Sequence, residues 1–107
     1  MVEGRLEDAL AALDRACALD RRYAAGWCNR AVVLERLGRT DEAAASYDRA
    51  LEVEPGAATI WHNKGNLLYA AGRREEALRC FKREVKLDHR RWFELPSEIR
   101  AAVDELP

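Results

Sequence analysis

Apolar and polar positions alternate along this chain with the period of a helix. Trp27, Ala31 and Leu34 fall at i, i+4 and i+7, one stripe of a 3.6-residue turn. Gly38 closes that stretch as a glycine closes a helix C-terminus. A second stripe, Ala43, Tyr47, Ala50 and Leu51, begins after Thr40-Asp41, a pair suited to an N-cap, and stops at Pro55-Gly56. The plan then recurs: Trp61, Gly65 and Leu68, a stop at Gly72, then Ala77, Phe81 and Val85. Upstream, Leu6, Ala9, Leu10 and Leu13 form one more apolar face. Downstream, Pro96-Ser97 opens a last helix with Ile99, Ala102, Val103 and Leu106 inward.

The recurrence is a repeat in residue type as well as in hydropathy. Trp27/Trp61, Asn29/Asn63, Leu34/Leu68, Gly38/Gly72, Arg39/Arg73, Glu42/Glu76, Ala43/Ala77, Arg49/Arg83 and Ala24/Ala58 are identities at a spacing of 34. Gly4-Arg5 and the stretch Leu6 to Ala16 align with Gly38-Arg39 and Thr40 to Ala50. The chain therefore divides into a half repeat over 4–23, full repeats over 24–57 and 58–91, and a terminal segment over 92–107, together a single domain over 1–107.

This 34-residue helix-turn-helix unit resembles the tetratricopeptide repeat. The signature is carried by Trp27, Leu34, Gly38, Ala43, Tyr47, Ala50 and Pro55, and then by Trp61, Gly65, Gly72, Ala77 and Phe81. The resemblance implies an all-α fold, a right-handed α-solenoid of antiparallel helix pairs, with 97–106 as the extra helix that caps the last repeat. Three positions depart from the pattern. Arg30 and Lys64 replace a leucine, their stems packing while the charges reach water; Glu84 replaces a small residue; and His89 stands where proline ends the helix, so the last repeat helix is expected to continue past Asp88 toward Phe93.

Composition narrows the function. Charged residues make up 35 % of the chain but sum to −1, which leaves no single-sign field for nucleic acid or an anionic membrane. There is no ~20-residue apolar run, and the start MVEGRLED carries no signal-peptide core. Cys17, Cys28 and Cys80 are an odd, unpatterned set, which fits reduced thiols and a cytoplasmic setting. Cys28 and His62 hold equivalent places in the two repeats, but a nucleophilic pair needs an orienting third group and zinc needs three ligands. The expectation is no catalysis, no metal, no cofactor and no small-molecule substrate.

What remains is binding. The resemblance implies a concave wall made by the first helix of each repeat, taking an extended peptide or a partner helix. The residues opposite the tryptophan stripe are Cys28, Asn29, Val32, Glu35 and Arg36, and then Thr59, His62, Asn63, Asn66 and Tyr69. Asn29 and Asn63 stand out, because a carboxamide both donates and accepts and so brackets a peptide bond without reading sequence. Similar asparagine ladders line some tetratricopeptide arrays, including those that feed protein substrates to glycosyltransferases. The alternative task for both is a hydrogen bond to neighbouring helix backbone. The family's clamp for chaperone carboxylates needs lysine or arginine where this chain has Cys28, Thr59 and His62, so that mode is not expected. Two other readings stay open: the flank Leu6, Ala9, Leu10 and Leu13 belongs to a longer array, or it pairs with a second copy in a homo-oligomer. A substrate-tethering domain of a larger enzyme is the third.

Overall fold

The computed structural model describes the backbone from Val2 and the side chains from Gly4 to Pro107; Met1, the first residue of the expected domain, lies outside the described residues. It is all-helical: α1 (Val2–Leu19), α2 (Ala24–Arg36), α3 (Thr40–Val53), α4 (Ala58–Ala70), α5 (Arg74–Leu87), a 3-10 helix (His89–Glu94) and α6 (Ser97–Glu105). The chain separates into two compact units, 1–55 and 56–107.

In the first unit α1, α2 and α3 run antiparallel, as connections of four and three residues require. Arg30 stitches all three. Its guanidinium donates to Asp14 of α1 at 2.6 Å and to the hydroxyl of Ser46 of α3 at 2.7 Å, and Ser46 is fully buried. The expectation that Arg30 reaches for water is therefore corrected: it turns inward, because a buried hydroxyl and a carboxylate offer it partners there. The Trp27 indole N–H donates to the Arg21 carbonyl at 2.9 Å, while Arg30 and Arg49 flank its ring at 5.9 and 5.1 Å from the centroid. Ala31, Leu34, Ala43, Tyr47 and Ala50 form the core. Leu10 is buried as well, so the α1 face expected to be open keeps only Leu6, Ala9 and Leu13, each half-buried.

The second unit repeats the crossing of α4 on α5. A Cβ added at Gly65 would sit 2.7 Å from the ring of Phe81, so α4 can approach α5 this closely only with glycine there. Lys64 and Arg83 flank the Trp61 ring as Arg30 and Arg49 flank Trp27, at 6.0 and 5.9 Å from the centroid. Leu95, Ile99 and Val103 are buried, α6 lying against α5. Helix α5 does not run on toward Phe93. It stops at Leu87; Asp88 is extended (φ −145°) and its carboxylate accepts the Arg90 N–H at 3.2 Å. An aspartate side chain competes with the helix for backbone donors, and here it ends α5 without proline.

Helices α3 and α5 start alike. Thr40 is the first helical residue rather than the cap, and neither Arg39 nor Arg73, which precede the helices, caps them with a side chain. Instead Arg39 grips both oxygens of Glu42 (3.0 and 2.7 Å), and Arg73 grips Glu76 (2.9 Å twice). The arginine beside each carboxylate holds it below the usual glutamate range. These acids also lie in the first turn, where the helix dipole favours negative charge.

The turns before these helices depend on Gly38 and Gly72, at φ +76° and +82°. Gly38→Ala is expected to cost about 1–2 kcal/mol in urea denaturation, the strain of placing a Cβ in the left-handed region. Gly56 has open space around it and no such φ. Gly56→Ala is expected to be neutral or to stabilise by up to about 1 kcal/mol, by restricting the unfolded chain.

Candidate functional site

The expected binding residues fall on α2 and α4, and the two helices present different chemistry. On α2, Asn29, Glu35 and Arg36 are exposed, Val32 is 37 % exposed, and Cys28 is half-buried. Burial, with Glu54 nearby, pushes the Cys28 thiol up, so at neutral pH it is a poor nucleophile. Behind this face stands Tyr47, 2 % exposed, whose phenol is pushed up to about 12 by burial and then by Glu35 and Cys28.

On α4 the corresponding side chains are bound to one another. Glu84 of α5 is 1 % exposed, and one of its oxygens meets His62 Nδ1 at 2.9 Å while the other accepts from Arg91 at 3.1 Å. Arg91 also donates to Thr59 Oγ1 at 2.6 Å, and Asn66 Nδ2 lies 3.1 Å from His62 Nε2. With Asn66 donating to Nε2, the imidazole proton sits on Nδ1 and points at Glu84. The His62 ring also packs against Phe81, 5.8 Å between centroids. Thr59, His62 and Asn66, expected to line the binding face, are joined in a polar array with Glu84 and Arg91. Tyr69 sits beside it, 37 % exposed and tilted against Phe81.

Glu84 and Arg91 are the site residues that sequence reasoning missed. The signal was present, since Glu84 occupies the place of Ala50 and Ala16 in the other copies. Five positions change together between the repeats: Ala25/Thr59, Cys28/His62, Val32/Asn66, Ala50/Glu84 and Ala57/Arg91. A buried carboxylate needs partners, and the chain provides them at the same register positions that are apolar or small one repeat earlier.

Asn29 and Asn63 stand apart from this. Among the described residues neither carboxamide bonds to another group of the chain, Asn29 being exposed and Asn63 half-buried. The alternative expectation, a hydrogen bond to neighbouring helix backbone, does not hold. No group of three or more His, Cys, Asp or Glu among the described residues is placed to hold a metal ion, and no helix there is long and apolar enough to cross a membrane.

Comparison with known proteins bears on this arrangement. A family described as "Tetratricopeptide repeat" matches residues 22–90, and one described as "TPR repeat" matches residues 2–38. Among solved structures, "Crystal structure of MamA" is similar with a TM-score of 0.75 and 26 % identity, over 81 % of this chain and 51 % of that one. "Crystal structure of MamA protein" matches with a TM-score of 0.75 and 27 % identity over 85 % of this chain and 50 % of that one. "MamA MSR-1 C2" gives 0.75 and 28 %, over 83 % of this chain and 51 % of that one. The chain thus spans about half the length of the structures it matches. A search of curated proteins found no match.

Three outcomes follow from the buried groups. Glu84→Ala leaves Arg91 and His62 facing a hole, and is expected to cost about 3 kcal/mol in urea denaturation. Changing all five positions to their first-repeat counterparts (Thr59→Ala, His62→Cys, Asn66→Val, Glu84→Ala, Arg91→Ala) is expected to cost less than Glu84→Ala alone, since no charge is left stranded. Tyr47 keeps its proton in the native state up to about pH 12, against 10 for an ordinary phenol. Its contribution is whole below pH 10 and is lost as pH rises through about 12. That loss, on the order of 2–3 kcal/mol, is expected to be absent in Tyr47→Phe when the two proteins are unfolded in parallel across the alkaline range.

Proposed function

Since the chain belongs to the tetratricopeptide repeat family, we propose that it is a non-catalytic protein-interaction scaffold. It takes an extended peptide or a partner helix on the exposed face of a repeat's first helix, α2 in the first unit or α4 in the second. The observation that carries this reading is the Asn29/Asn63 pair. Every other repeated residue has an internal task or a buried place in at least one copy: Trp27 and Trp61 lie between cations, Gly38 and Gly72 make the turns, and Arg39 and Arg73 clasp glutamates. Leu34, Leu68, Ala43, Ala77 and Ala24 are buried, and Arg49 and Arg83 cover the indoles. Asn29 and Asn63 are repeated with no such internal partner.

A carboxamide facing solvent keeps its donor and acceptor for a main chain. Val32 and Tyr69 add exposed apolar surface beside them. Glu35 and Arg36 offer charges for specificity on α2, while the array around Glu84 gives α4 a rigid polar wall. Rigid side chains reduce the ordering cost of binding.

The test is a peptide selected from a random library on the intact chain, then titrated calorimetrically into the Asn29→Ala/Asn63→Ala protein. Affinity is expected to fall roughly tenfold, two hydrogen bonds being lost. Equal affinity for both proteins would remove the asparagines from the binding surface.

A further inference from the structure

A different surface, on α5, carries a run of four cations. Arg79, Lys82, Arg83 and Lys86 follow one another at i, i+3, i+4 and i+7, so they share one stripe of the helix. The same register in α3 reads Ala45, Asp48, Arg49 and Glu52, and in α1 Ala11, Asp14, Arg15 and Ala18. Two acidic positions of α3, Asp48 and Glu52, have become Lys82 and Lys86, and an alanine has become Arg79. The last repeat has thus been recoded from mixed to uniformly basic along this line.

The stripe borders a cavity of about 320 Å³ whose lining is Arg79, Lys82, Arg83, Lys86, Leu106 and Pro107, with no acidic side chain. Lys82 donates from Nζ to the main-chain oxygens of Leu106 and Pro107, holding these two apolar residues as a wall beside the other cations. Elsewhere arginines meet carboxylates: Arg30 with Asp14, Arg39 with Glu42, Arg73 with Glu76, Arg91 with Glu84. Among the described residues no ion pair joins Arg79, Arg83 or Lys86 to a carboxylate; Arg79 is near enough to Glu76 to help hold its carboxyl down, and Arg83 lies over the Trp61 ring.

We propose that this cleft is a second docking site, for an acidic peptide segment that carries an apolar side chain. The cations from Arg79 to Lys86 span about 10 Å of helix at 1.5 Å per residue. A peptide in the polyproline II conformation, about three residues per turn and about 3.1 Å of rise, places carboxylates three residues apart on one face at about that distance. The carboxylates meet Arg79 and Lys86, and an intervening apolar side chain packs on Leu106 and Pro107. The concave shape and the short stripe fit a peptide rather than a flat anionic membrane.

The probe is a fluorescein-labelled peptide of sequence ELEELE, with QLQQLQ as its uncharged counterpart, measured by fluorescence anisotropy on the whole chain. The expected result is saturable binding of the acidic peptide that weakens as salt rises from about 50 mM to about 500 mM. Arg79→Gln/Lys86→Gln is expected to weaken it roughly tenfold with an unchanged thermal midpoint, because both side chains are exposed. Asn29→Ala/Asn63→Ala is expected to leave it unchanged, which separates this site from the faces of α2 and α4. The proposal is overturned by equal binding of QLQQLQ, by equal affinity of the Arg79/Lys86 double variant, or by loss of binding in the asparagine variant. Displacement of the peptide by inorganic phosphate at low millimolar concentration would also overturn it, since that marks a simple anion site.

Discussion

The close crossing of paired helices is the constraint on which the remaining structure depends. In the second unit α4 lies so near α5 that only a glycine, Gly65, fits before the ring of Phe81. The same register positions in the first unit hold Ala31 and Tyr47, both buried. A small residue opposite an aromatic ring fixes both the spacing of the helices and which faces turn outward. Once Trp27 and Trp61 are placed between their cations on one side, the residues two positions on project to the other. Asn29 and Asn63 are turned away from the indole side as a consequence of packing.

Repetition separates architecture from function more sharply than hydropathy does. Two copies of one unit must meet the same packing demands. Asn29/Asn63, an identity without an internal partner, stands apart from them; the identities that have one mark those demands. The turn glycines, the arginine–glutamate clasps and the cation-covered indoles all belong to this class. Differences mark where the copies have been given separate tasks. The five coordinated changes around Glu84 convert an apolar register into a polar one, and the recoding of α5 turns a mixed stripe basic. Both changes fall in the second unit.

Most of the fold was legible in the sequence because helix period, turn glycines and repeat spacing agree with one another. The inward stripes Ala43, Tyr47, Ala50 and Leu51, and Ala77, Phe81 and Val85, are all buried as expected. What escaped were choices made by polar side chains. Arg30 turning inward depends on Ser46 and Asp14, 16 residues away on either side. The stop at Leu87 depends on one carboxylate competing for a backbone donor. The array at Glu84 joins residues 7 and 22 positions apart. Each is a tertiary contact with no local periodic signature. At the candidate face the sequence places Asn29, Asn63, Val32 and Tyr69 without internal polar partners to foresee, whereas the engagement of His62 and Thr59 needs Glu84 and Arg91 from distant parts of the chain.

The proposed binding role requires that Asn29 and Asn63 keep their carboxamides for a partner's main chain. The most direct measurement is the NMR spectrum of the asparagine side-chain amides during titration of the intact chain with a library-selected peptide. The Nδ2–H signals of Asn29 and Asn63 are expected to shift with the same saturation as binding, because both groups exchange water for peptide. Saturable binding that leaves both signals unmoved while others shift would contradict the account.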